Sequence, residues 1–159
     1  MNFPKRLIAV FGVVLLGVIA TGETLGAKTA AISVSGAWAR PAAKGMPGAV
    51  YLTLTNPGSA PDRLVSITTP VAKSAMIHVS RMEGGVMTMR AVAGVDVSAK
   101  GKISFAPGGM HVMLEGLNRA LKPGDTVPLD VTFARAGHIH VIAPVRQSPP
   151  AAPMAGMKM

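Results

Sequence analysis

From residue 32 onward the chain alternates between apolar and polar positions. In AVYLTLTN (49–56), Val50, Leu52 and Leu54 fall on one side and Tyr51, Thr53 and Thr55 on the other. That is the two-residue period of a half-buried β-strand. Comparable runs recur as ISVSGAWA (32–39), RLVSITTP (63–70), AMIHVS (75–80), VMTMRAV (86–92), MHVMLEGL (110–117), TVPLDVTFA (126–134) and HIHVIAPV (138–145). The stretch VDVSAKGKISFAPGG (95–109) reads as two short strands around residues 99–101. In RLVSITTP the alternation sets Leu64 apart from Val65 and Ile67. Gly- and Pro-rich segments punctuate the runs: ARPAAKGMPG, PGSAPD, NRALKPGD and RMEGG, the last read as the turn before VMTMRAV. The final two runs predict a closing hairpin around residues 135–137. Eight or nine short strands, without a long amphipathic helix, predict an all-β antiparallel sandwich or small barrel.

The chain ends read differently. Lys5 and Arg6 precede LIAVFGVVLLGVIA (7–20), an uncharged apolar run, and TGETLGA follows. A basic start, a short apolar stretch and small residues describe a secretory signal peptide, with cleavage expected after Ala27. The run is short of the about 20 residues that a membrane span needs. The expected organisation is therefore a signal peptide (1–27), one β-domain (28–146) and a disordered Pro/Ala/Met-rich tail (147–159). Export to the periplasm is expected, with a monomer and no stable membrane insertion after cleavage.

Composition then narrows the chemistry. The chain has no cysteine. This leaves no disulfide, no lipid attachment through a thiol and no thiolate ligand, and it rules out a blue-copper electron-transfer site. Lys and Arg number 16 against 7 Asp and Glu; without Lys5, Arg6 and Glu23 the mature charge is about +8. The basic residues stand singly, without the aromatic-basic interleaving of single-strand binders. Nucleic acid is therefore not an expected partner, whereas a protein with an acidic docking face is. No phosphate-cradling glycine motif and no nucleophile elbow occur. The few acids lie mostly beside turns, so an enzyme is not expected.

The remaining signal is soft-ligand chemistry. The histidines are His78, His111, His138 and His140, and six methionines fall between residues 76 and 113. His111 and Met113 are two apart in one predicted strand, so an imidazole and a thioether share a face. His78 and Met89 lie on either side of the RMEGG turn and can face each other across a hairpin. Two imidazoles and two thioethers are all neutral, a set that favours Cu(I) over harder ions. Met76 shares a face with His78, and Met87 with Met89; both read as core or rim packing. Met110 reads as packing on the opposite face, Met82 as a turn residue, and His138 with His140 as a solvated strand face. Trp38 is expected in the core or in the wall of the site. Met154, Met157 and Met159 in the tail could gather Cu(I) weakly.

The spacing His78-x10-Met89-x21-His111-x-Met113 resembles the H-x10-M-x21-H-x-M signature of the periplasmic copper chaperone family PCu(A)C. The flanks AWARP (37–41), AVYLTLTN (49–56), DRLVSI (62–67), GGVMTM (84–89), APGGMHVML (106–114) and LKPGDTVPLDVTF (121–133) are similar to the family too. The resemblance covers about residues 32–145. It implies a cupredoxin-like β-sandwich with Greek-key strand order, and Cu(I) ligated by His78, Met89, His111 and Met113. It also implies delivery of copper to the apo copper site of a respiratory cytochrome oxidase, or to its assembly factor. Some members of the family carry a tail rich in both His and Met. The tail here has no histidine, so a second Cu(II) site in it is not expected. Two readings remain open beside delivery: copper buffering without a dedicated recipient, and a structural sandwich whose methionines only pack.

Overall fold

The computed structural model describes residues 32–150. The expected signal peptide and most of the expected tail lie outside the described residues. Among the described residues ten strands follow one another: β1 (Ser33–Ala39), β2 (Gly48–Thr55), β3 (Asp62–Thr68), β4 (Ala72–Glu83), β5 (Val86–Val92), β6 (Val95–Val97), β7 (Lys102–Ser104), β8 (Met110–Leu117), β9 (Thr126–Phe133) and β10 (Gly137–Pro144). They form two antiparallel sheets. One has the order β1-β2-β8-β4-β5, with β7 also pairing β2; the other runs β10-β9-β3-β6. The fold is the expected all-β sandwich. Among the described residues no helix is long and apolar enough to cross a membrane.

The alternation in the sequence becomes the two faces of each sheet. Val50, Leu52 and Leu54 of β2, Val112 and Leu114 of β8, and Val127, Leu129 and Val131 of β9 are buried between the sheets. Each such side chain contributes about 1.5–3 kcal/mol on leaving water. The polar side of a strand then faces outward. In the larger sheet that outer side carries the histidines.

Two readings of the strand pattern are corrected. First, β4 continues to Glu83, so Arg81–Glu83 are strand rather than turn. The register ends on Glu83↔Val86, which leaves only Gly84 and Gly85 as the connection. Both have positive φ, 58° and 81°. A two-residue turn of that kind matches the right-handed twist of the strands and demands residues free of a Cβ penalty. Second, Leu64 and Ile67 are both buried while Val65 is exposed. A bulge between Leu64 and Ser66 in the β3–β9 pairing inserts the extra residue that brings both to the core. The two short strands of residues 95–104 are present as expected and belong to different sheets: β6 pairs β3, and β7 pairs β2. The chain crosses the sandwich between them.

Two buried polar side chains fasten the loops. Asn56 donates from Nδ2 to the carbonyls of Ala60 (2.9 Å) and Val97 (3.2 Å) and accepts from the Gly58 N–H (3.0 Å). Asp62 accepts from the N–H groups of Arg63 (2.7 Å), Arg135 (2.9 Å) and Ala136 (2.9 Å), tying the β9–β10 turn to β3.

Candidate metal centre

Strand register assembles the site. The β4–β8 pairing sets His78 directly opposite His111 and Met76 opposite Met113. The β4–β5 pairing sets Met89 opposite Ser80, one row further along the same face. Residues directly opposed in an antiparallel pair share a face. His78, Met89, His111 and Met113 are therefore brought to one surface of the larger sheet. The histidine row lies between the Met113 row and the Met89 row. Those flanking rows add a thioether and a hydroxyl, from Met76 and Ser80, but no carboxylate.

The imidazoles are nearly parallel, with ring centres 5.8 Å apart and planes at 18°. Behind His111 stand two aromatic residues. The Tyr51 ring centre lies 6.5 Å from that of His111, and Trp38 lies 4.7 Å from Tyr51. The β1–β2 register pairs Trp38 with Tyr51 after a bulge between Ser35 and Trp38. Both rings are buried, although they stand on the outer side of the sheet. Trp38 is thus part of the wall behind the histidines rather than of the core between the sheets. Nothing in the sequence marks Tyr51 as part of a site. Its signal there was only its shared face with Thr53 and Thr55.

The local sequence positions the ring of His111. Ala106-Pro107-Gly108-Gly109 closes a β-turn, with the Gly109 N–H donating to the Ala106 carbonyl at 3.0 Å. Proline at the second position and Gly108 at the third, with φ of 79°, are what a type II turn requires. The turn leaves the Gly109 carbonyl 3.3 Å from Nδ1 of His111. A carbonyl can only accept, so in the neutral ring this contact favours the tautomer with its proton on Nδ1, which leaves the Nε2 lone pair for another partner. His78 has the opposite condition. Its Nδ1 is buried and has no hydrogen-bond partner. A buried polar atom left unpaired costs roughly 1–3 kcal/mol. A metal ion is one partner that could satisfy it.

Burial falls off in a definite order. His111 is 7% exposed, His78 and Met113 are half-buried, and Met89 is 49% exposed. Met76 also lines an apolar groove with Val65, Ile67, Ala91 and Val92, which makes it a rim residue. Met110 packs against the core, as expected. His138 and His140 are exposed on β10. Nδ1 of His138 lies 3.0 Å from the Thr132 hydroxyl, and Nδ1 of His140 lies 2.8 Å from an Asp130 carboxylate oxygen. Their face is solvated and belongs to the other sheet. Among the described residues no three His, Cys, Asp or Glu side chains converge. The side chains beside the histidine pair are thioethers and a hydroxyl.

Comparison with known proteins identifies the family and the fold. A family profile described as "Putative lipoprotein LpqE-like" matches residues 32–145. The "Putative lipoprotein Lxx21020" of Leifsonia xyli subsp. xyli is 31% identical over 128 residues, covering 80% of this chain and 76% of that protein. The solution structure of CuI-DR1885 from Deinococcus radiodurans superposes with a TM-score of 0.58 at 32% identity, over 79% of this chain and 85% of that one. The copper-bound PCuAC domain from PmoF2 shares the fold with a TM-score of 0.63 at 21% identity, over 76% and 96% of the two chains.

Proposed function

The chain belongs to the LpqE-like family, with a sandwich of the PCuAC kind, and from that premise we propose that it is an exported copper carrier. It takes one Cu(I) as cargo through His78, Met89, His111 and Met113. The observation that carries this reading is the opposed histidine pair, with an unpaired buried Nδ1 on His78 and the Nδ1 of His111 set against the Gly109 carbonyl. Thioethers lie in the rows on either side. All four ligands are neutral when bound, so no thiol proton has to leave and the bound site keeps only the charge of the ion. Thioethers select Cu(I) over harder ions, and imidazole also binds it.

The order of exposure suggests how copper leaves. His111 is held by the Gly109 carbonyl and backed by Tyr51, so it anchors the ion. Met89, half in solvent, is the ligand an incoming donor displaces first. Copper then passes through an intermediate in which His111 and a recipient ligand share it. The recipient is the copper site of a respiratory cytochrome oxidase, or a factor that assembles it, in the periplasm. The excess of basic residues suits a partner with an acidic docking face.

The test is an anaerobic Cu(I) titration of the mature chain against a chromogenic chelator, with His111→Ala and Met113→Leu beside the wild type. One equivalent bound tightly, and weakened in both variants, supports the site. Equal weak binding by all three overturns it. Deletion of the gene then separates delivery, which predicts loss of oxidase activity, from buffering, which predicts copper sensitivity with normal oxidase.

A further inference from the structure

The β4–β5 hairpin carries a second cluster that the histidine pair does not use. Beyond Val79, β4 loses its neighbour β8: the last register pair is Val79↔Met110, and the Ser80 N–H donates to the Gly109 carbonyl at 3.1 Å. Residues 81–88 continue as a two-stranded ribbon. Its two faces are segregated. One carries Arg81, Glu83, Thr88 and Arg90. The other carries Met82 and Met87, with Met89 one row nearer the histidines.

Met82 and Met87 are directly opposed in register and are 65% and 51% exposed. Among the described residues nothing buries them, so core packing does not account for two large thioethers at the surface. Directly opposed Cβ atoms stand about 4.5–5.5 Å apart, and Met89, on the diagonal, about 7–8 Å away. Methionine has three rotatable bonds and adapts readily to a shared partner. Three neutral thioethers on one face form a donor set for a soft monovalent cation and a poor one for Zn(II), Ca(II) or Mg(II).

We propose that Met82, Met87 and Met89 form a capture site at the hairpin tip, which takes Cu(I) first and passes it to His78 and His111. This rests on the reading of the histidine pair as a copper site. Met89 is the shared ligand. Its Cu–S bond persists while the bonds to Met82 and Met87 break, and bonds to His78, His111 and Met113 form. Copper remains Cu(I) throughout and no proton moves. At two equivalents Met89 stays with the histidines, and Met82 with Met87 holds the second ion more weakly.

The experiment is carbon-13 NMR of the methionine methyl groups in the mature chain, titrated anaerobically with Cu(I), for the wild type and for Met82→Leu/Met87→Leu. The expected result is that the first equivalent moves the signals of Met89 and Met113 and the second moves those of Met82 and Met87. In the double variant the second event is lost and the first is kept. Met82 and Met87 signals that hold still through two equivalents overturn the proposal. So does a second equivalent that moves only Met154, Met157 and Met159. Movement of Met82 and Met87 with Met113 unmoved instead refutes the histidine site and leaves the capture site standing alone.

Discussion

Replacing His78 by phenylalanine separates what the fold needs from what copper needs. The substitution keeps a flat ring beside His111, where the two imidazoles now stack at 5.8 Å. It removes the buried Nδ1 that has no partner. An unpaired buried polar atom costs roughly 1–3 kcal/mol, and the half-buried position of the ring favours the lower end of that range. The apo variant should therefore be more stable than the wild type by about 1 kcal/mol. For a domain of this size that is a rise of about 3–5 °C in Tm. Copper should act in the reverse sense. At free Cu(I) of about 100 times Kd, binding adds about 2.7 kcal/mol to the wild type, or roughly 10 °C. The variant, one ligand short, should lose most of that gain. Thermal unfolding by circular dichroism, apo and loaded, reads both effects in one experiment. An apo variant that melts below the wild type while keeping the full copper shift would falsify the reasoning, because Nδ1 would then have had a partner and His78 no part in the site.

Other residues give sharper tests of the scaffold and of the exit route. Asp62→Ala leaves three N–H donors unpaired and should cost roughly 2–4 kcal/mol, read as a lower urea midpoint. Burial alone would raise the Asp62 pKa, but the N–H groups of Arg63, Ala136 and Arg135, with the nearby Arg135 charge, outweigh it and hold the carboxyl below 3.8. A depressed pKa stabilises the fold above the unfolded value of about 3.9 and loses that contribution as pH falls through the folded value. The gap between wild type and variant should therefore be constant near neutrality and close only below about pH 4, which a pH series of melts checks. Asn56→Ala frees the carbonyls of Ala60 and Val97 and the Gly58 N–H; a loss of roughly 2–4 kcal/mol with an unchanged m-value is expected from chemical denaturation. Met89→Leu should release Cu(I) to a competing chelator faster than Met113→Leu does, in stopped-flow, because the more exposed ligand guards the exit. Equal rates would remove the assigned order of displacement.

The strands were legible because a half-buried strand writes its period into side-chain type, as Val50, Leu52 and Leu54 against Tyr51, Thr53 and Thr55 show. What is not written that way was missed. The charged pair Arg81 and Glu83 reads as turn, although Gly84-Gly85 alone suffices for one and lets β4 run on as a ribbon. The β3 bulge leaves no mark, because an inserted residue changes the phase of the pattern and not its composition. At the site, the shared face of His111 and Met113 follows from one strand. The opposition of His78 to His111 does not, since β4 and β8 lie about thirty residues apart and pair by non-local register. Only the family spacing pointed to it. The Tyr51 wall depends on the same register and carried no spacing signal at all.

The arrangement also accounts for why a carrier would be built on a sheet surface and not in a closed cage. β4 and β8 lie in the interior of the larger sheet, with hydrogen-bonded neighbours on both sides, and their inner residues Ile77, Val112 and Leu114 are buried in the core. That fixes the two imidazoles without asking the ligands themselves to be rigid. β5 is the edge strand, and beyond Val79 its hairpin has only itself for support. A two-stranded ribbon is marginally stable alone, so its local opening is expected to cost less free energy than opening of the central strands. The histidines thus sit on the firm part of the sheet and Met89 on the yielding part. An ion held by both is bound by a fixed pair and released through a ligand that can swing away. Shortening the ribbon while retaining Met89 should leave equilibrium affinity for the first Cu(I) nearly unchanged and slow its exchange, a separation that relaxation and chelator-competition measurements on the same variant would resolve.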